Sequence, residues 1–304
     1  MISAPAISVN AISKSYGAVE ALRSLSLSVN PGELFGLIGP DGAGKSSLYR
    51  ILATLAAPDA GSATIAGLDV CACPGDVRRC IGYMPERFSL YPDMTVRENL
   101  EFFASLFGVG ISESRDLIAP FFSRLEPFSD RLAGALSGGM KQKLALSCAL
   151  IHRPEVLLLD EPTTGVDAVS RSEFWEVLVQ LCRSGMTVLV TTSYMDEAML
   201  CDRVAMINRG EIMCCGAPEA LLAHAAEGLY AVTATDMYAL LGQLRRLPDV
   251  ADCYTFGASV HLVASPGFDA ADALAALRMA GLEGVAIEPV SPTLEDVFIK
   301  LMKQ

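Results

Sequence analysis

The chain has 304 residues, 52% of them hydrophobic, and a formal net charge of -12, a length that accommodates one large domain with a small one or two of moderate size. The acidic balance excludes a nucleic-acid partner held by clustered Lys and Arg, because no basic stripe exists to neutralise phosphates. No run of about 18 apolar residues is present, which excludes a membrane-spanning helix.

Residues 1–9 carry no basic head followed by an apolar stretch, so a cytosolic chain is expected. High apolarity without a span points to surface buried against partner chains, or to an Ala- and Leu-rich core. The nine cysteines form no C-x-x-C pair and several lie in apolar contexts, so they read as reduced packing residues.

In chain order, 7–9 and 25–29 read as strands. Tyr16, between them, is either a stacking platform for an adenine ring or a packed turn residue. A third, apolar strand over 34–38 runs into Gly39, Pro40, Asp41, Gly42, Ala43, Gly44, Lys45, Ser46 and Ser47, and a helix over 46–55 leaves it. The spacing of Gly, four residues, Gly-Lys-Ser between strand and helix is that of a phosphate loop. Glycines let successive backbone N–H groups close around phosphates where a side chain would block them. Lys45 is suited to neutralise the β and γ phosphates of ATP and the Ser46 hydroxyl to ligate Mg2+, while the helix N-terminus adds about half a positive charge. Screening over about 8 Å makes the acidic surface compatible with such a ligand.

A short hairpin is expected over 61–67 and a strand over 81–86. Thr95 and Glu98 form a capping box, after which aromatic-rich helical patterning runs with breaks towards 132. Ser137 is placed to cap a helix running to 151 and leave amides free for an anion. The apolar strand in 156–162 ends in Asp160 and Glu161, and an all-apolar run belongs in a parallel sheet covered on both faces. Asp160 is placed to hold the magnesium shell, and Glu161 to orient or deprotonate the attacking water. A helix over 169–182 and a strand over 187–191 follow, with Ser193 just beyond.

From about 219 the character changes. Strands at 229–234, 250–255, 260–263 and 284–288 with helices at 237–247 and 269–279 give the order β-α-β-β-α-β of a ferredoxin-like domain, and a last helix starts near Pro292. No clustered acid, base or metal spacing appears there, so a structural or dimer-supporting role is expected.

With the phosphate loop, Ser137-Gly138-Gly139, the acidic strand and Thr164-Gly165-Val166-Asp167 in this order, the chain resembles an ABC transporter ATP-binding subunit over about residues 5–220. The ending at 292–299 is similar to the tails of the ABC-2, multidrug-type exporter group. The implied fold is an α/β phosphate-loop NTPase cassette over 1–218, with a helical insert at about 87–135, followed by a small α+β ferredoxin-like domain over 219–304. The resemblance implies an ATPase, on the cytoplasmic side of the cell membrane, that drives an exporter through separate membrane-spanning subunits and pairs head to tail with a second ABC cassette. Tyr16 would then stack on adenine, and Ser137, Gly138 and Gly139 would serve the partner's ATP. Tyr91, Phe102 and Phe103 would anchor the membrane subunits or pack within the insert.

Three positions depart from the family pattern. Glu86 stands where a glutamine usually senses magnesium and the membrane partner, Ser193 where a histidine usually touches the γ phosphate, and Asp41 where asparagine is common. His152, His224 and His261 are not placed to replace the missing histidine. A positioned acid-base group contributes about 10² to 10⁴ in rate, so slow turnover at this chain's own phosphate loop is expected, with a competent site completed on a partner. The alternative is a non-hydrolysing subunit that only completes the active site of a paralogous ATPase.

Overall fold

The computed structural model describes residues 4–87, 89–223 and 228–303, which fall into two compact units, Met1–Glu219 and Ala220–Gln304. Among the described residues the first unit contains ten strands: β1 (Ile7–Tyr16), β2 (Val19–Val29), β3 (Leu34–Ile38), β4 (Ala60–Ile65), β5 (Leu68–Asp69), β6 (Ile81–Met84), β7 (Val156–Leu159), β8 (Thr187–Thr192), β9 (Arg203–Asn208) and β10 (Glu211–Gly216). They form an antiparallel sheet, β2-β1-β4-β5, and a six-stranded sheet, β10-β9-β3-β8-β7-β6. In the latter β9 to β6 run parallel and only the edge strand β10 is antiparallel.

Every residue of β3, β7 and β8 is buried, as covering both faces of a parallel sheet requires. The core joins the two sheets through Phe35, Leu37, Leu158 and Leu189 from one and Ile7, Ile12 and Leu22 from the other. Because β8 lies between β3 and β7, the loops that leave the C-terminal ends of all three emerge side by side. Open α/β sheets bind ligands at such a crevice.

Several elements differ from the sequence expectation. β1 and β2 extend to meet at Tyr16 and Val19, because a tight turn with Gly17 in the left-handed region joins them. The loop helix is Lys45–Leu52 and stops before 55, where Thr54 takes φ 60. The hairpin is β4–β5, turning at Ala66 and Gly67, and β4 also pairs with β1. Strands β9 and β10 and helix Pro74–Cys80 have no counterpart in the sequence expectation. The insert carries helix Val96–Phe107, with Thr95 and Glu98 exchanging capping hydrogen bonds, and helix Arg115–Phe122.

In the second unit β11 (Leu229–Thr233), β12 (Val250–Phe256), β13 (Ser259–Ala264) and β14 (Ala286–Pro289) form an antiparallel sheet ordered β12-β13-β11-β14. Helices Met237–Leu244 and Ala270–Met279 complete a β-α-β-β-α-β unit whose core holds Val232, Leu240, Leu244, Leu262 and Leu277. Helix Leu294–Met302 starts at a capping box of Thr293 and Asp296. Asp296 also accepts from Tyr254 Oη at 2.9 Å and pairs with His261 Nδ1 at 2.6 Å.

Candidate functional site

Two glycines of the phosphate loop are demanded by close approach. A Cβ on Gly39 would sit 2.1 Å from the Ile207 carbonyl oxygen, and one on Gly44, at φ 112, 2.5 Å from that of Ala21. The β9–β10 turn therefore backs directly onto the loop, and Gly210 N–H donates to the Ala43 carbonyl at 2.8 Å. Gly44 begins the loop helix in the left-handed region with no side-chain cap, which leaves first-turn N–H groups available to an anion. Lys45, 5% exposed, folds back so that Nζ donates to the carbonyls of Gly39 at 2.7 Å and Pro40 at 3.3 Å.

The acidic pair stands opposite. Lys45 Nζ lies 3.2 Å from Glu161 Oε1. Asp160 directly follows β7 and accepts from Thr191 Oγ1 at 2.9 Å and from the Ser46 hydroxyl. Burial raises the Asp160 pKa above the usual carboxylate range against those two hydrogen bonds, and the charges of Glu86 and Glu161 push the same way. Glu161 takes φ 50, an unusual conformation for a non-glycine residue, stabilised by its N–H donating to Thr191 Oγ1 at 2.7 Å. That turn aims its carboxylate at the loop. Its Oε2 accepts from Ser193 N–H at 3.2 Å, Ser193 Oγ at 3.3 Å and Thr164 Oγ1 at 3.3 Å.

A cleft of about 690 Å³ opens here, lined by Asp41, Gly42, Gly44, Lys45, Ser46, Ser47, Glu86 and Glu161 from the expected set, together with Ala18 to Ala21, Arg23 and Arg209. Its size suits a nucleotide. The touching Ser46 hydroxyl and Asp160 carboxylate are hard oxygen donors that fit a magnesium ion, which keeps waters and phosphate oxygens as its other ligands. Tyr16 stands at the end of β1, two residues before Ala18, 43% exposed, with Lys14 Nζ 5.6 Å from its ring centroid.

Ser137, Gly138 and Gly139 are not among the cleft-lining residues. Ser137 caps helix Gly138–Leu150, accepting from Met140 N–H at 3.4 Å, and Ser137 and Gly138 are exposed. His152 Nε2–H donates to the Ile81 carbonyl at 2.9 Å, the ring stacks on Phe107, and burial lowers its pKa. His261 is buried in the second unit, and His224 lies outside the described residues. Two site residues stand outside the sequence expectation: Thr191, which fastens both carboxylate residues, and Arg209 in the β9–β10 turn. The apolar run 204–207 before Asn208-Arg209-Gly210 was the available signal for that turn.

This constellation defines a phosphate-loop nucleotide-binding cassette. The family described as ABC transporter matches residues 22–164. A protein of Escherichia coli K12 named "Probable multidrug ABC transporter ATP-binding protein YbhF" is 41% identical over 303 residues, covering 97% of this chain and 52% of that protein. The chain thus spans about half the length of that relative. The "Nod factor export ATP-binding protein I" of Rhizobium sp. N33 is 36% identical over 304 residues, covering 99% of this chain and 98% of that protein. Among solved structures, an ATP-binding subunit of an ABC transporter superposes with a TM-score of 0.66 at 28% identity, over 71% of this chain and 91% of its own. A dimeric, post-hydrolysis ATP-binding cassette bound to ADP and Pi gives 0.63 at 27%, over 69% and 98%. The chain belongs to the ABC transporter ATP-binding family. Among the described residues no helix is long and apolar enough to cross a membrane.

Proposed function

We propose that this chain binds Mg-ATP and, paired with a second ABC cassette, hydrolyses it to drive an ABC-2 type exporter built of separate membrane-spanning subunits, from the cytoplasmic side of the membrane. The observation that carries this is the convergence of Lys45, Ser46 and Glu161 on one cleft, with the buried Asp160 hydrogen-bonded to Ser46 behind its wall. Lys45 releases its loop carbonyls to meet phosphate oxygens. Ser46 and Asp160 would hold magnesium, which supplies charge neutralisation of the phosphates when bound. Glu161 orients the attacking water, and its Lys45 contact loosens as phosphate takes the ammonium. Calorimetry of Mg-ATP binding to wild type and Lys45→Ala tests the assignment: equal affinities would sink it.

The finer reading is asymmetric. Glu161 Oε2 is engaged by both donors of Ser193, a residue that offers no cationic form in place of the family's usual histidine. With Glu86 in the same cleft, this chain's own phosphate loop turns over slowly, while the Ser137-Gly138-Gly139 segment, exposed at Ser137 and Gly138, completes a competent site on the partner, identical or, in the favoured reading, paralogous. A wholly non-hydrolysing chain is the second reading, favoured by the same serine. ADP trapped at this phosphate loop supports hydrolysis; unchanged ATP supports the second reading.

An apolar groove of about 390 Å³, lined by Tyr83, Leu90, Phe103, Leu106, Phe107 and His152, supports docking of the membrane subunits on the insert. Tyr91 and Phe102, in edge contact at 4.9 Å, stand partly exposed nearby in sequence. Cross-linking from positions 87–100 to a membrane subunit is expected; contacts made only by the second unit would refute this docking.

A further inference from the structure

Behind the acidic wall lies another carboxylate, Glu197, on the short helix Met195–Ala198 that follows β8, and it is 3% exposed. Its Oε1 accepts from Thr163 Oγ1 at 2.7 Å and its Oε2 from Thr192 Oγ1. Thr163 comes two residues after Glu161, and Thr192 immediately precedes Ser193. One side chain therefore fastens the segments that carry Glu161 and Ser193. A buried carboxylate needs a counter-charge, and Arg171 Nε, 3.5 Å from Oε1, supplies it. The guanidinium also covers the Tyr194 ring at 4.1 Å.

Arg171 belongs to the first turn of helix Ala168–Arg183, where Asp167 Oδ1 accepts from Ser170 N–H at 2.9 Å. Gly139 rests on that same turn: a Cβ there would stand 2.7 Å from Ser170 Oγ and 2.8 Å from Ser170 Cβ. A Cβ on Gly138 would be 3.3 Å from the Gly165 carbonyl oxygen. Contacts thus run unbroken from Glu161 and Ser193 through Glu197 and Arg171 to the Ser-Gly-Gly segment.

We infer that Glu197, clamped by Arg171, is a positioning residue that holds the Ser137-Gly138-Gly139 segment in register with the acidic wall of the same chain, coupling the two half-sites that one chain contributes. The inference rests on the proposed pairing of cassettes. Both oxygens of Glu197 are committed to hydroxyl donors, and a glutamine offers one acceptor only and no charge for Arg171. Losing the clamp frees the first turn under Gly139 without touching the phosphate loop.

The test measures ATP turnover of the assembled transporter and Mg-ATP binding by the full chain. Glu197→Gln is expected to lower maximal turnover by about 10- to 100-fold, the scale of a small misplacement of a remote positioned group. The KM for ATP and the Kd of the full chain for Mg-ATP are expected to change less than about twofold, since uniform binding is untouched. Arg171→Gln, which removes the counter-charge from the other side of the same contact, is expected to act the same way. The double variant should lose no more than the worse single one, because both remove one contact. Unchanged turnover in the two single variants, or losses that multiply in the double, overturns the clamp. So does an equal fall in Mg-ATP binding for Arg171→Gln, which marks ordinary structural damage. If Lys45→Ala also leaves Mg-ATP binding intact, the nucleotide assignment itself fails; if Lys45→Ala is damaging and Glu197→Gln is silent, only the clamp fails.

Discussion

Asp160 in the first unit and Asp296 in the second are both buried carboxylates, 3% and 4% exposed, yet their surroundings push them in opposite directions. Burial raises the pKa of Asp160, and its two hydroxyl donors do not overcome this while Glu86 and Glu161 stand nearby. Burial acts on Asp296 as well, but hydrogen bonds from the Thr293 backbone and hydroxyl, His261 and Tyr254 outweigh it and hold its pKa below the usual range. The difference separates a site from a joint. A buried carboxylate whose own chain leaves its pKa raised marks a candidate functional site, whereas a carboxylate saturated by its own chain acts as a fastener.

The largest effect expected to sharpen this contrast is at the cleft: Lys45→Ala should weaken Mg-ATP binding by at least about 100-fold, as loss of a charge-assisted phosphate contact implies. Calorimetry reads it directly, and the fold should survive because Lys45 lies at the open end of the sheet. Next comes the asymmetry between half-sites. Ser137→Ala should cut turnover of the assembled transporter at least about tenfold, the scale of losing an anion-binding donor. Glu161→Gln should change it less than about twofold if its interactions contribute little to the limiting step. Comparable losses in a steady-state ATPase assay would show that this chain's own site hydrolyses at full rate.

At the joint, Asp296→Asn should lower stability by about 1–3 kcal/mol, the usual cost of impairing hydrogen bonds to a buried charged group, while Mg-ATP affinity is unchanged. A variant that melts like wild type would remove the fastener reading. Because the folded-state pKa of Asp296 is depressed, its contribution is fully present above the unfolded value of about 3.9 and is lost as pH falls through the lower folded value. The stability gap between wild type and Asp296→Asn should therefore narrow below that pH in urea melts. The smallest effect is expected at Tyr16. Replacing it by Ala should weaken Mg-ATP binding about fivefold, the low end for losing one aromatic stack on a base, with Tyr16→Phe close to wild type. An unchanged Tyr16→Ala would return it to simple packing of a turn.

The phosphate loop, the acidic strand, Ser137-Gly138-Gly139 and the Thr95–Glu98 cap were legible because each is a contiguous pattern set by a local requirement. Backbone must approach an anion, an apolar strand must end in carboxylates, or a helix end must satisfy its own N–H groups. The β-α-β-β-α-β order of the second unit was legible for the same reason, as alternation of periodicities along one stretch. Tertiary structure alone decided what stands behind those patterns. Thr191 reaches Asp160 and Glu161 because β8 is laid between β3 and β7, with Leu159 opposite Val190 and Ile38 opposite Thr192. Ile207 of β9 forces glycine at 39, Glu197 meets Thr163, and Asp296 meets His261. These contacts join segments tens to more than a hundred residues apart, and parallel register is fixed by crossovers and by burial on both faces of the sheet. Neither leaves a local period in the sequence, since an all-apolar strand looks alike in every register.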